Sequence, residues 1–132
     1  MNYYIIETPN SFDIKIEKGI ALALNFAEQQ NKSVSMVFMD YKNLDGFFSN
    51  AIQTPIIELK KKKAFLVNNI LFELISSKEL KTSSLQPIIL CIFPNSRLLN
   101  ELEKIDKTHE IIVPWISDDV KKIKAKKNVE IL

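Results

Sequence analysis

Asn95, Ser96 and Arg97 are the residues of this chain whose types and spacing best fit a ligand site. They come directly after the strongly apolar residues 87–93 and before a pattern of leucines with helical spacing. The free N–H groups at a helix start and a guanidinium both complement phosphate or carboxylate. The same residues also serve as ordinary helix caps and surface charge. The triplet therefore marks an anion-binding candidate, with capping as its alternative explanation.

Other polar or aromatic side chains are expected at the same edge of the fold, because ligands of open parallel sheets bind beyond the carboxyl ends of the strands. Each of them follows an apolar segment and precedes a helical pattern. The residues predicted to bind a ligand are Asn10, Ser11, Asp40, Asn95, Ser96, Arg97, Trp115 and Asp118.

Metal and cofactor sites have little support in the sequence. Asp40, Asp45, Asp118 and Asp119 carry the oxygen ligands that Mg²⁺ prefers, but turn residues and acids at a helix start explain them equally well. The chain has only 2 glycines, whereas loops that cradle phosphates need several. We therefore predict no metal and no cofactor.

Nucleophilic catalysis is also disfavoured. His109 is the only histidine, and it precedes a predicted strand, which puts it at the edge opposite the candidate loops. Cys91 lies within the apolar run 87–93, where a cysteine acts as a small buried hydrophobic residue. No residue is assigned a catalytic role.

Macromolecular partners are suggested by two lysine clusters and by a pair of aromatic residues. The lysines at 60–63 and 121–127 could contact nucleic-acid phosphates, although no interleaved aromatic or arginine-rich pattern accompanies them. The net charge is only +2. Phe47 and Phe48 are predicted to form a protein interface, either with a different protein or in a homodimer.

The elements that must position these residues are predicted from the apolar pattern. Short apolar runs typical of strands alternate with stretches of helical spacing. Strands are predicted at 3–7, 34–39, 87–93, 110–115 and 129–132, and helices at 12–30, 55–76, 97–105 and 117–127.

The segment 55–76 is ambiguous. Thr54 and Pro55 are suited to starting a helix, and Leu59, Leu66 and Leu74 are among the apolar residues that continue on one face. The lysines at 60–63 interrupt this face. The alternative interpretation makes 55–59 a strand and begins the helix after the lysines.

Together these elements predict a single α/β domain over residues 1–132. Alternating strands and helices favour a three-layer, doubly wound, mostly parallel sheet of about five strands. The Rossmann-like strand order 2-1-3-4-5, as in flavodoxin, is expected by analogy. No targeting or membrane-spanning segment is evident, and a single cysteine suits a reducing compartment, so we predict a cytoplasmic protein.

Three functional hypotheses are consistent with these patterns. The first is a non-enzymatic interaction or regulatory module of a cytoplasmic assembly, since loops and spacings typical of enzymes are missing. The second is a domain or minor enzyme that takes a small anionic or nucleotide-like ligand in the loops at the carboxyl edge. The third is nucleic-acid binding through the lysines.

Overall fold

The structure is a computed structural model that describes residues 2–6, 12–43, 56–80, 84–115 and 129–131, and these residues contain both helices and strands. A short 3₁₀ helix lies at Tyr41–Asn43. The helices are α1 (Phe12–Gln30), α2 (Ile56–Lys62) and α3 (Ser96–Glu103), and the strands are β1 (Asn2–Ile5), β2 (Val34–Phe38), β3 (Ala64–Val67), β4 (Ile70–Ser76), β5 (Ile88–Ile92), β6 (His109–Val113) and β7 (Val129–Ile131).

The described strands form one sheet in the order β3-β4-β2-β5-β6-β1-β7. Every neighbouring pair is parallel except β3 and β4, which are antiparallel. Helices pack on both faces: α1 and α2 on one, α3 on the other. The broad prediction of an α/β fold with a mostly parallel sheet is therefore confirmed. No helix in the described ranges is both long enough and apolar enough to cross a membrane.

The predicted order 2-1-3-4-5 is wrong. It places β1 beside β2, whereas β1 lies between β6 and β7, and β2 lies between β4 and β5. Tyr4 of β1 is opposite Ile111 on one side and Glu130 on the other. The sequence shows that a helix connects β1 to β2 but not how many strands that helix crosses. Helix α1 has 19 residues, about 28 Å at the usual rise, and it packs across β5 and β6.

The long helix predicted at 55–76 is also wrong, and so is the alternative strand at 55–59. The helix ends at Lys62, and a β-hairpin of β3 and β4 comes next. The turn is made by Asn68 and Asn69, with φ of 49° and 66°. Asparagine tolerates this left-handed conformation, which two-residue hairpin turns require. With this hairpin, the described residues contain seven strands where about five were predicted.

The core consists of two apolar layers separated by the sheet. All residues of β2 and β5 are buried, as expected for strands covered on both faces. Met36 and Leu90 belong to the layer under α1, whereas Val37 and Cys91 belong to the layer under α3. Met36 and Val37 of β2, and Leu90 and Cys91 of β5, thus contribute to opposite layers.

Gly19 allows α1 to lie very close to the sheet. A Cβ atom at this position would come within 2.8 Å of Val113 Cγ2 and 3.0 Å of Leu90 Cδ1. Both side chains are fully buried, and the branched valine has little rotational freedom. The close approach of α1 to the sheet therefore requires a residue without a side chain at position 19.

Replacing Gly19 by alanine should lower the free energy of unfolding by about 1 kcal/mol. Helix propensity favours alanine by about 1 kcal/mol, but we expect the collision with Val113 and Leu90 to cost more than that. Urea denaturation of Gly19→Ala measures the net effect. The control is Asn25→Ala, at an exposed position of the same helix, which should be slightly stabilising. A stabilised Gly19→Ala variant would show that the helix can move away from the sheet at little cost.

Candidate functional site

The carboxyl ends of β2, β4 and β5 meet at one edge of the sheet. Phe38, the last residue of β2, is opposite Ser76 on one side and Ile92 on the other. Just beyond the strands, Ser77 Oγ donates a hydrogen bond of 2.9 Å to the carbonyl oxygen of Met39. The segments that leave β2 and β4 are therefore held side by side.

This edge contains a point where the chain leaves neighbouring strands toward opposite faces. After β2, Met39 packs in the layer under α3, whereas the later residues Tyr41 and Leu59 pack in the layer under α1. After β5 the chain enters α3, whose Leu98 and Leu102 pack in the other layer. A crevice opens where adjacent connections diverge in this way, and it is the usual ligand position in open α/β sheets.

A cleft of about 420 Å³ lies at this point. Its apolar lining comes from Met39, Leu80 and Leu98, and polar or charged side chains complete it. The volume falls within the range of small-molecule pockets. The polar and charged lining residues are Ser77, Lys78, Asn95, Arg97 and Glu101.

The cleft carries two cations that are not neutralised within the described chain. Lys78 and Arg97 are exposed, and neither forms an ion pair with a described residue. Glu101 lies one helical turn beyond Arg97 without forming an ion pair with it. The three side chains leave a net positive charge in the cleft, which favours an anionic ligand.

Asn95 caps α3 beside these cations. Its Oδ1 accepts a hydrogen bond of 2.8 Å from Leu98 N, and its carbonyl oxygen accepts one of 3.1 Å from Leu99 N. The N–H groups of Ser96 and Arg97 receive no acceptor from the described residues, as is usual in a first helical turn. The capping interpretation of Asn95 is therefore confirmed, and its side-chain NH₂ still has donor capacity.

The backbone turns sharply just before this cap. Phe93 has φ of 48°, an uncommon conformation for a bulky residue. Its N–H donates to Val113 O at 2.8 Å, and its ring packs edge-on against Phe12 and Trp115. These contacts hold a conformation that costs on the order of 1 kcal/mol. The strained residue therefore lies between the end of β5 and Asn95, which lines the cleft.

The other predicted ligand residues that the structure describes are not part of the cleft lining. Ser96 is exposed beside Asn95. Asp40 is exposed, and its Oδ1 accepts a hydrogen bond of 3.1 Å from Lys42 N, as in a turn. Trp115 is 41% exposed and stacks on Phe12 at 4.3 Å. The predicted site residues that fall outside the described part of the chain are Asn10, Ser11, Phe47, Phe48 and Asp118.

Ser77, Lys78, Leu80 and Glu101 line the cleft but are not among the residues predicted from the sequence. The first three follow β4, a strand whose apolar residues also fit the predicted helix 55–76. Recognising Asn68-Asn69 as a hairpin turn would have placed a strand end at Ser76, and therefore a candidate loop at Ser77. Glu101 has no such signal, because an acid within a helix is ordinary.

A second polar group lies beside the cleft, next to β4. Glu79 accepts hydrogen bonds from Ser76 Oγ at 2.9 Å and from Lys63 Nζ at 3.0 Å. Burial opposes its ionisation, but these hydrogen bonds together outweigh burial and lower the pKa of the Glu79 carboxyl. Burial, followed by the nearby Glu79 carboxylate, raises the pKa of Tyr41. Both residues therefore keep their ordinary charge states near neutral pH.

Lys107 and Glu110 form a buried ion pair at the end of α3. Their side chains are 1% and 0% exposed, with 3.7 Å between Lys107 Nζ and Glu110 Oε1. Lys107 Nζ also donates to the carbonyl oxygens of Leu102 and, at 3.2 Å, Ile105. A cation at this position satisfies carbonyls that the helix end leaves open. The pair fixes α3 against β6.

Replacing Lys107 by methionine should destabilise the protein by about 3 kcal/mol, because it leaves the Glu110 carboxylate buried without its cation. The double variant Lys107→Met/Glu110→Gln should recover part of that loss. Urea denaturation of the two variants and the parent measures the difference. Equal stability of single and double variants would mean that the charge of Glu110 carries no penalty.

The amino edge of the sheet holds His109 as predicted, but its ring is packed rather than free in solvent. It stacks on Phe26 at 4.1 Å between centroids and faces Tyr4 at 6.1 Å. The amide Nε2 of Gln30 lies 3.2 Å from its Nδ1, and Thr108 Oγ1 lies 3.0 Å away. Burial of the ring lowers the pKa of His109.

Acidification should therefore destabilise the fold through His109. Because its pKa is lower in the folded than in the unfolded state, the unfolded chain binds more protons between the two values. The free energy of unfolding should fall as the pH drops through the ordinary value of 6.5 toward the folded value. Since His109 is the only histidine, its ring protons give one NMR titration curve, with a midpoint below 6.5.

His109→Phe retains an aromatic ring in the stack and cannot titrate. In this variant the loss of stability between about pH 7 and pH 5.5 should be smaller than in the parent. A titration midpoint above the ordinary value, or an unchanged pH dependence in the variant, would contradict the conclusion that His109 causes the loss of stability in acid.

Within the described residues, no group of three or more histidine, cysteine, aspartate or glutamate side chains is arranged to hold a metal ion. Comparison of the chain with protein-family models, with curated proteins and with solved structures gives no match. The function of this chain therefore has to be inferred from the geometry and charge of its own residues.

Proposed function

We propose that this protein binds a small anionic ligand in the cleft at the carboxyl ends of β2, β4 and β5. The observation that carries the proposal is the presence of Arg97 and Lys78 in one cleft, without ion-pair partners among the described residues. Two positive charges that lie close together repel each other, and an anionic ligand bound between them offsets this repulsion. This is the second of the three hypotheses drawn from the sequence.

The lining indicates the class of ligand. Arg97 presents a planar set of donors suited to bidentate contact with phosphate or carboxylate, and Lys78 adds a point charge. Met39, Leu80 and Leu98 offer an apolar surface to the rest of the molecule. A phosphorylated or carboxylated metabolite with an apolar or planar body satisfies both parts.

The charge balance argues for a ligand of modest size and charge. Glu101 lies in the same cleft, and it would repel a polyanion while accepting a hydrogen bond from a hydroxyl or amino group of a smaller ligand. The first sequence hypothesis, an interaction or regulatory module, is compatible with such binding if the ligand controls a partner. Nucleic-acid binding gains no separate observation at this site.

A thermal-shift screen against inorganic phosphate, dicarboxylates and mononucleotides tests the proposal, because a ligand selective for the folded state raises the melting temperature. The best ligand is then titrated calorimetrically. Arg97→Gln should weaken binding about tenfold, the effect of losing one charge-assisted hydrogen bond. Lys78→Gln should weaken it less, since a mobile exposed lysine makes a less directional contact.

The matched control is Lys18→Gln, which removes one exposed positive charge from α1 on the opposite face of the sheet. It should leave the affinity within about twofold of the parent. Equal weakening by Lys18→Gln and Arg97→Gln would indicate general electrostatic attraction instead of a site. Absence of any shift across the screen would count against the proposal directly.

A further inference from the structure

The cleft at the carboxyl ends of β2, β4 and β5 contains an acid as well as two cations. Lys78, Arg97 and Glu101 all line it. Arg97 and Glu101 are four residues apart in α3, so they lie on the same face of the helix, about 6 Å apart along its axis. Within the described chain, none of the three forms an ion pair. The cleft therefore presents separated charges of both signs to a ligand.

The positions of Arg97 and Glu101 do not benefit the helix that carries them. Arg97 is the second residue of α3, and Glu101 lies in its last turn. A helix favours negative charge near its first turn and positive charge near its last turn. At a spacing of four residues, the favourable order is an acid before a base. Both charges are in the opposite arrangement, and residues that break a local rule in this way are expected at functional sites.

The acid next to Lys78 in sequence does not change the charge of the cleft. Glu79 is not part of the lining, and its carboxylate pairs with Lys63 at 3.0 Å. The charged groups of the lining are therefore two cations and one carboxylate, which leave one net positive charge. A ligand with two negative charges and one ammonium group would match each of these groups with an opposite charge.

A ligand without a cationic group is a poorer match. A simple dianion pairs with Arg97 and Lys78 but brings its charge near the Glu101 carboxylate, which repels it. A hydroxyl group could donate a hydrogen bond to this carboxylate, whereas an ammonium group adds the attraction of opposite charges to the hydrogen bond. The apolar part of the lining suits the short carbon chain that joins the charged groups. The charge pattern thus favours an amine-bearing ligand.

We propose that the ligand of this cleft is a small amine-bearing dianion, such as an amino dicarboxylate or an amino phosphate ester. Arg97 and Lys78 bind its negative charges, and Glu101 binds its ammonium group. Glu101 determines specificity in this arrangement, because it distinguishes the amine from the analogue that lacks it. This ligand class rests on the proposed function, because the site is the same cleft.

Pairs of ligands that differ only in the amine test the proposal by isothermal titration calorimetry. The pairs are L-aspartate and succinate, L-glutamate and glutarate, and phosphoethanolamine and ethyl phosphate. The amine-bearing member of at least one pair should bind about fivefold more tightly than its analogue, or more, which is the effect of one further ion pair in a partly exposed site. The pair with the tightest binding distinguishes carboxylate from phosphate as the acidic group.

Glu101→Gln tests the role of the carboxylate. In this variant the preference for the amine should disappear, and the analogue without the amine should bind more tightly than it does to the parent, because the repulsion is removed. The matched control is Glu17→Gln, which removes an exposed acid of α1 on the opposite face of the sheet and should leave the preference unchanged. A preference that survives in Glu101→Gln overturns the role given to Glu101.

The other outcomes separate this proposal from the proposed function. Equal or tighter binding of the analogues without the amine overturns the ligand class and leaves anion binding in the cleft intact. No binding of any of these compounds at millimolar concentration overturns both. Urea denaturation of Glu101→Gln should give a stability equal to or slightly above that of the parent, because the charge opposes the helix dipole. A clear loss of stability would show that the carboxylate serves the fold and would overturn its assignment to binding.

Discussion

The separation between α1 and the sheet is the constraint on which the rest of the structure depends. Strands β1 and β2 are consecutive in sequence, yet β5 and β6 lie between them. Helix α1 must therefore cross these two strands, and it lies so close to them that position 19 has no room for a side-chain carbon. Ile16, Ile20, Ala23 and Ala27 then fill the layer between helix and sheet. The helix acts as a cover for strands other than the two it connects.

This arrangement determines where a ligand can bind. With α1 covering one face at β5, the segment after β5 turns to the other face, and the strained conformation of Phe93 accomplishes this turn within one residue. Tyr41 and Leu59, which come after β2 in the chain, pack on the α1 face. The cleft forms between these diverging connections, and the cations that line it come from the segments after β4 and β5. The packing of the helices on the sheet determines where the cleft lies, whereas the exposed Lys78 and Arg97 determine its charge.

Much of the fold is predictable from the sequence because its signals are local. Helix α1 matches its predicted bounds, and the five predicted strands are present with shifts of one or two residues at their ends. The strand order is not predictable, because the apolar runs of β1 and β6 could pair with any buried neighbour. The hairpin escapes prediction because Leu59, Leu66 and Leu74 also fit a helical face. Capping and charge identify Asn95 and Arg97, but Lys78 can be found only once β4 is recognised as a strand.

The position of β1 also has a consequence for how the molecule is assembled. Although β1 is near the start of the chain, Asn2 pairs with His109 and Tyr3 with Val129. During synthesis, β1 emerges long before its neighbours in the sheet, so it remains without these partners until residues 109–131 have been made. Contacts so distant in sequence slow folding and prolong the exposure of unpaired edges. We therefore expect folding of this domain to begin in local units such as the β3–β4 hairpin, with β1 among the later strands to pair.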